Sequence, residues 1–170
     1  DFMHDGTSSK WKLRILNVVD DYTWEALWME VSTLISGQHV TRVLDRLIEL
    51  RGKLGSLLND NGPVSRACDD KSEGPFAGTA LDAWTYERKI NHQFIQPGKP
   101  NQNAYVESFN GKVRDECLNE HWWRNIDHAR NKIERWREDY NQVRPHSSLK
   151  NQTPDAFAEK SRPPLGGARR

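Results

Sequence analysis

Residues 13–62 read LRILNVVDDYTWEALWMEVSTLISGQHVTRVLDRLIELRGKLGSLLNDNG, and the spacing of their apolar residues changes twice. Leu13, Ile15, Leu16, Val18 and Val19 form a dense apolar run closed by Asp20-Asp21, which predicts a largely buried strand followed by a turn. Trp24 to Val31 alternates loosely, with Ala26, Trp28 and Glu30 on one face and Leu27, Met29 and Val31 on the other. The period then lengthens. Val40, Val43, Leu44, Leu47 and Ile48 fall at i, i+3, i+4, i+7 and i+8, the stripe of an amphipathic helix that starts at Ser36 or Gly37 and stops at Gly52. Leu54, Leu57 and Leu58 lead into Asn59-Asp60-Asn61-Gly62, a short buried strand that ends in an Asp and a turn.

Working outward, Asp1–His4 is a short strand followed by turn material at Gly6-Thr7-Ser8-Ser9. Downstream, polar residues 64–75 show no period and read as a mobile surface loop. Phe76–Lys89 resumes a helical pattern, Ile90–Ile95 is a short strand, and Gln96–Pro100 is an irregular loop. Two helices follow, on the stripes Val106, Phe109, Val113, Cys117 and Ala129, Ile133, Trp136, Tyr140, Val143. Arg144-Pro145 stops the second of them. The element order β-β-β-α-β-α-β-α-α predicts an α/β fold with a five-stranded mixed sheet flanked by helices. Residues 1–160 form one core domain, and 161–170 are a flexible tail. The first and fourth strands should be neighbours, because only that arrangement puts Asp1 beside Asp60.

Composition narrows the function classes. The 170 residues are 35% hydrophobic, enough for a core, and the net charge of +1 says nothing by itself about polyanions. Residues 96–170 hold 14 Lys/Arg against 10 Asp/Glu, so the C-terminal half is the basic one. Cys68 and Cys117 make no disulfide framework or CxxC, which suits a reducing, cytoplasmic setting. No apolar run approaches a membrane span, and no signal peptide is visible. The six histidines show no metal-ligand spacing, and neither a nucleophile elbow nor a phosphate-binding glycine loop is present. Trp122-Trp123 and Trp136 read as core residues rather than base-stacking platforms, and Asp20-Asp21 reads as a turn. The chain opens on strand-like sequence at Asp1 without Met, as a fragment lacking an upstream part would.

Carboxylates at element ends are the remaining chemistry. Asp1 lies on the first strand, Asp60 ends the fourth, and Glu107 lies near the start of a helix after a Pro/Gly loop. Three such oxygens could hold Mg²⁺ or Mn²⁺, and a pair of ions suits phosphodiester chemistry. Pattern alone does not single these three out of 24 acidic residues. An Asp before Asn-Gly is ordinarily a turn former, and a helical Glu is ordinarily solvated. Asn103, Asn110 and Arg114, at i−4, i+3 and i+7 from Glu107, share its face, opposite the Val106, Phe109, Val113 stripe.

Three blocks change those odds: LNVVDDYTWEAL at 16–27, NDNGP at 59–63, and FIQPGKPNQNAYVESFNGKVRDECLNEHWW at 94–123, which continues to DYNQVRPHSSLKNQTPDAFA at 139–158. With them the sequence resembles the integrase catalytic core of bacterial insertion-sequence transposases of the family-three, OrfB-type group, across almost the whole chain. The resemblance implies an RNase H-like fold and a DDE polynucleotidyl transferase that cleaves and joins DNA strands. It implies that Asp1 bridges two Mg²⁺ or Mn²⁺ ions while Asp60 and Glu107 hold one each. It also implies DNA as partner, with Asn103, Asn110, Lys112, Arg114 and Arg144 as contacts, and self-association into a multimeric complex.

The sequence departs from the family pattern at two places. Forty-six residues separate Asp60 from Glu107, more than the family has, and the excess maps to 64–75. The helix-turn-helix region that the family carries upstream is not in this sequence. These departures favour a second reading, a catalytically impaired fragment that only binds DNA or a partner transposase. A third, a ribonuclease H-like nuclease for hybrids, is opposed by the transposase-type blocks.

Overall fold

The computed structural model describes residues 1–6, 12–59, 76–95 and 104–161, with backbone alone at 76–79. The expected loops at 64–75 and 96–100, and the tail beyond Ser161, lie outside the described residues. Strands β1 (Phe2–Gly6), β2 (Lys12–Val19) and β3 (Ala26–Ser32) form an antiparallel meander in the order β1-β2-β3, with Phe2 opposite Leu16 and Arg14 opposite Ser32. Helix α1 (Gly37–Arg51) follows. Ser36 caps it, its Oγ accepting from the His39 N–H at 3.2 Å, and Gly52 closes it at φ +89°, where a side chain would be strained. Strand β4 (Ser56–Asn59) pairs in parallel with β5 (Asn91–Phe94), and helix α2 (Phe76–Arg88) makes the crossover that parallel pairing demands.

All five expected strands are present, three antiparallel and two parallel. The ladder expected between β1 and β4 is not among the hydrogen bonds of the described residues. β4 is four residues long and pairs with β5; Phe2 of β1 and Leu57 of β4 are each packed against the second core cluster.

Strand alternation makes two cores, one on each face of the meander. Leu13 and Ile15 of β2 face helices α3 (Ala104–Val113) and α4 (Ile126–Gln142), meeting Phe109, Val113, Ile133, Trp136 and Tyr140. Leu16 and Val18 face the other way, onto Val40, Val43, Leu44 and Leu47 of α1 and Leu81 and Trp84 of α2. A bulge between Val18 and Val19 puts Ala26 opposite Val19 and Trp28 opposite Val18. That extra residue re-phases β3, so Ala26 joins Met29 and Val31 on the first core while Leu27 and Trp28 join the second, which corrects the simple alternation read from the sequence.

The β2–β3 turn is built by Asp20, as expected: its Oδ1 accepts from the Tyr22 and Thr23 N–H groups at 2.9 and 3.1 Å. Asn125 caps α4 through the His128 N–H at 2.8 Å. Helix α3 runs on into a π-helical turn at Arg114–Leu118, and a further helix, α5 (Pro154–Ser161), packs on α4. Trp123 and Trp136 are core residues, but Trp122 is 84% exposed, so the core assignment fails for that member of the pair.

The segment after α4 doubles back, with the His146 N–H donating to the Gln152 carbonyl at 2.9 Å and the ring set against Tyr140 and Trp24. Burial first, then the Lys112 and Arg144 charges, hold the His146 imidazole below its ordinary pKa. A depressed folded pKa means that the unfolded chain takes up this proton first as pH falls. Stability should therefore decline below pH ~6.5, by at most about 1.4 kcal/mol per pH unit for this group. Urea midpoints measured on either side of that pH check the decline, and His146→Gln should flatten it.

Candidate metal and nucleic-acid site

Asp1 is fixed from two directions. Its backbone pairs with Asn17 of β2, the Asn17 N–H donating to the Asp1 carbonyl at 2.8 Å and the Asp1 backbone nitrogen donating to the Asn17 carbonyl at 2.9 Å. Its half-buried carboxylate accepts from the Phe2 N–H at 2.7 Å and from the Asn110 side-chain amide at 2.6 Å. The Asn110 oxygen in turn accepts from the Asn17 side-chain amide at 2.8 Å. A three-residue chain, Asn17 to Asn110 to Asp1, therefore crosses from β2 through α3 to the residue that precedes β1.

Glu107 stands in the first turn of α3 and is exposed. It lies three residues before Asn110, so the two side chains share a face about 5–6 Å apart at their Cβ atoms. Phe109 and Val113, both buried, turn the opposite face of the helix to the core, as the stripe predicted; Val106 is only half-buried. Asp1 thus bonds the Asn110 amide, and Glu107 lies three residues before that amide on the same helix. Asp60 and Asn103 lie outside the described residues. Asn59, directly before Asp60, ends β4, where its Oδ1 meets His92 Nε2 at 2.8 Å while His92 Nδ1 meets Asp82 at 3.0 Å. Neither Asn59 nor His92 stood out in the sequence.

Among the described residues no group of three His, Cys, Asp or Glu side chains converges as a metal site. Asp60 is not among them. The donor type of the two described carboxylates, Asp1 and Glu107, fits a hard divalent cation, since Mg²⁺ and Mn²⁺ prefer oxygen ligands.

The basic residues differ in how committed they are. Arg114 is exposed and donates to the His4 carbonyl at 3.4 Å, beside β1. The Lys112 ammonium lies 6.0 Å over the Tyr140 ring. Arg144 is held by Glu116 and by Asp139 at 2.7 Å, and it stacks 5.3 Å from the Trp136 ring. Two carboxylates already match its charge, so a phosphate would have to compete for it.

Asn17 was missed by the sequence reading. It is 1% exposed, and its Oδ1 has no hydrogen-bond partner among the described residues. A buried acceptor left unpaired costs about 1–3 kcal/mol. The signal available was a polar residue completing the inward row Leu13, Ile15, Asn17.

Two family models match the chain, both described as Integrase core domain, over residues 1–100 and 88–154. An uncharacterized 31.7 kDa protein of insertion element IS407 from Burkholderia multivorans is 46% identical over 162 residues, which cover 95% of this chain and 54% of that protein. An uncharacterized 39.2 kDa protein of insertion element IS476 from Xanthomonas euvesicatoria is 44% identical over 158 residues, covering 93% of this chain and 42% of that one. The chain spans about half the length of these relatives or less. Its fold is that of the HTLV-2 integrase catalytic core domain, solved in complex with magnesium in a dimeric form, at TM-score 0.62 and 19% identity over 92% of this chain and 91% of that one.

Proposed function

Because the chain belongs to the integrase core domain family, we propose that it is the catalytic core of a DNA transposase, a DDE polynucleotidyl transferase in which Asp1, Asp60 and Glu107 hold Mg²⁺ or Mn²⁺, as a pair of ions. The observation that supports this reading is the Asn110 side chain, which hydrogen-bonds the Asp1 carboxylate at 2.6 Å and stands three residues after Glu107 on α3. The relatives support it by residing in insertion elements, and the magnesium complex of the HTLV-2 core supports the metal.

Bound divalent cations supply the charge that activates an attacking oxygen and stabilises the leaving one. This chain's residues do the rest. Asp1 and Glu107 would supply carboxylate oxygens to the cations, and Asn110 orients the Asp1 carboxylate through its hydrogen bond. Arg114 and Lys112, with Asn103, take the phosphates of bound DNA. Self-association into a multimeric complex brings two such cores to two DNA ends, a reading to which the dimeric form of the HTLV-2 core lends support.

The test is strand cleavage and joining on labelled duplex DNA with Mg²⁺, Mn²⁺ or chelator. Metal-dependent nicking supports the enzyme, whereas binding without any nicking leaves a module that only holds DNA. The phosphate contacts make a separate prediction. Arg114→Ala and Lys112→Ala should each weaken binding to all sequences alike and lower the salt slope by about one. Fluorescence anisotropy over a salt series checks this, and a sequence-selective loss would show that the residues read bases.

A further inference from the structure

We propose that Asn17 is a positioning residue for the carboxylate site: its buried side-chain amide dictates which way the Asn110 amide faces, and Asn110 thereby holds the Asp1 carboxylate. An ionised carboxylate can only accept, so the Asn110 NH₂ must face Asp1, where it lies at 2.6 Å. That leaves the Asn110 oxygen facing β2, where it needs a donor. Asn17 supplies one at 2.8 Å. With Asn17 reversed, two amide oxygens would face each other, so one arrangement of the three side chains is self-consistent. The same residue also pairs both backbone groups with Asp1. Asn17 therefore holds Asp1 through its main chain and, one residue removed, through its side chain.

Packing does not account for this residue. Leu13 and Ile15, the earlier members of its inward row, are fully buried and apolar. A third apolar side chain would continue the row without stranding a buried oxygen, as Asn17 Oδ1 is stranded among the described residues. The stability given up there goes to orienting Asn110.

The purpose assigned to this orientation rests on the proposed function, but the orientation itself is testable without metal. In the metal-free full chain, NMR should find the NH₂ protons of both Asn17 and Asn110 exchanging slowly with water. Asn17→Leu, or Asn17→Val should Leu overfill the site, removes the donor. Either variant should speed Asn110 NH₂ exchange roughly fivefold or more, the loss of one hydrogen bond, without lowering the melting temperature. Calorimetric titration with Mn²⁺ should show affinity about tenfold weaker, the usual size for a partner that orients a ligand. The double variant Asn17→Leu, Asn110→Ala should bind Mn²⁺ no more weakly than Asn110→Ala alone, since Asn17 acts through Asn110. Unchanged Asn110 exchange in both variants overturns the proposal, as does fast Asn17 exchange in the parent or multiplying losses in the double variant. If the parent binds no Mn²⁺ while the exchange results hold, the metal reading falls and the positioning role of Asn17 stands.

Discussion

Glu107→Gln is expected to reduce metal-dependent strand cleavage at least about a hundredfold, beyond the 10–100-fold typical of losing an outer partner of a metal ligand. The substitution keeps the size and hydrogen-bonding reach of the side chain and removes only its charge. Glu107 is exposed, in the first turn of α3, with its helix packed through Phe109 and Val113 on the opposite side. The structural penalty is then limited to one favourable charge at a helix N-terminus, about 0.3–1 kcal/mol. Activity should vanish while the melting temperature hardly moves. Asp60→Asn should do the same to cleavage. A variant that loses its fold together with its activity would say that Glu107 is structural, and one that keeps activity would remove it from the site.

Trp123→Ala should have the largest effect on stability. The ring is 1% exposed, stacks on His121 at a centroid distance of 5.7 Å, and lies in the core formed by Met3, Ile133 and Trp136. Its Nε1 donates to Asp5 Oδ2 at 2.7 Å, so truncation also strips a bond from the strand that begins at Phe2. Large-to-small changes of this kind cost about 3–5 kcal/mol against a total stability of roughly 5–15 kcal/mol. Urea denaturation should show a midpoint far below that of the parent. Trp122→Ala, at the exposed neighbour, should stay within about 0.5 kcal/mol of the parent. Equal losses at the two positions would mean that the packing around the pair is misassigned.

The contrast between those two tryptophans marks where sequence reading stops. Period and capping are local, so the α1 stripe Val40, Val43, Leu44, Leu47 and the Ser36 cap were legible, as was the Asp20 turn. The choice between Trp122 and Trp123 is made by elements far along the chain, and no local pattern carries it. The bulge at Val18/Val19 inverted part of β3 because one extra residue shifts a two-residue period, and nothing in TWEALW marks the insertion. Helix α5 is absent from the element order that periodicity predicts, although Thr153-Pro154-Asp155 is a good start signal, Pro being at home in a first turn.

The candidate site divides the same way. Asp1, Glu107 and Asn110 came from the resemblance and from helical spacing, and the structure joins Asp1 to Asn110 across 109 positions. Asn17 reaches Asn110 across 93 positions and lies in a block that looked like ordinary strand. Its polarity in an apolar row was visible, but its meaning needed the helix that lies over it.

A crystal of the chain soaked in Mn²⁺ and examined by anomalous scattering tests the three-carboxylate site directly. A peak is expected at about 2.0–2.3 Å from carboxylate oxygens of Asp1, Asp60 and Glu107, with a second ion ~3.5–4 Å away once DNA is bound. A peak bound by other residues, or Asp1 and Asp60 carboxylates more than about 10 Å apart, a gap that no two-metal site spans, would contradict it.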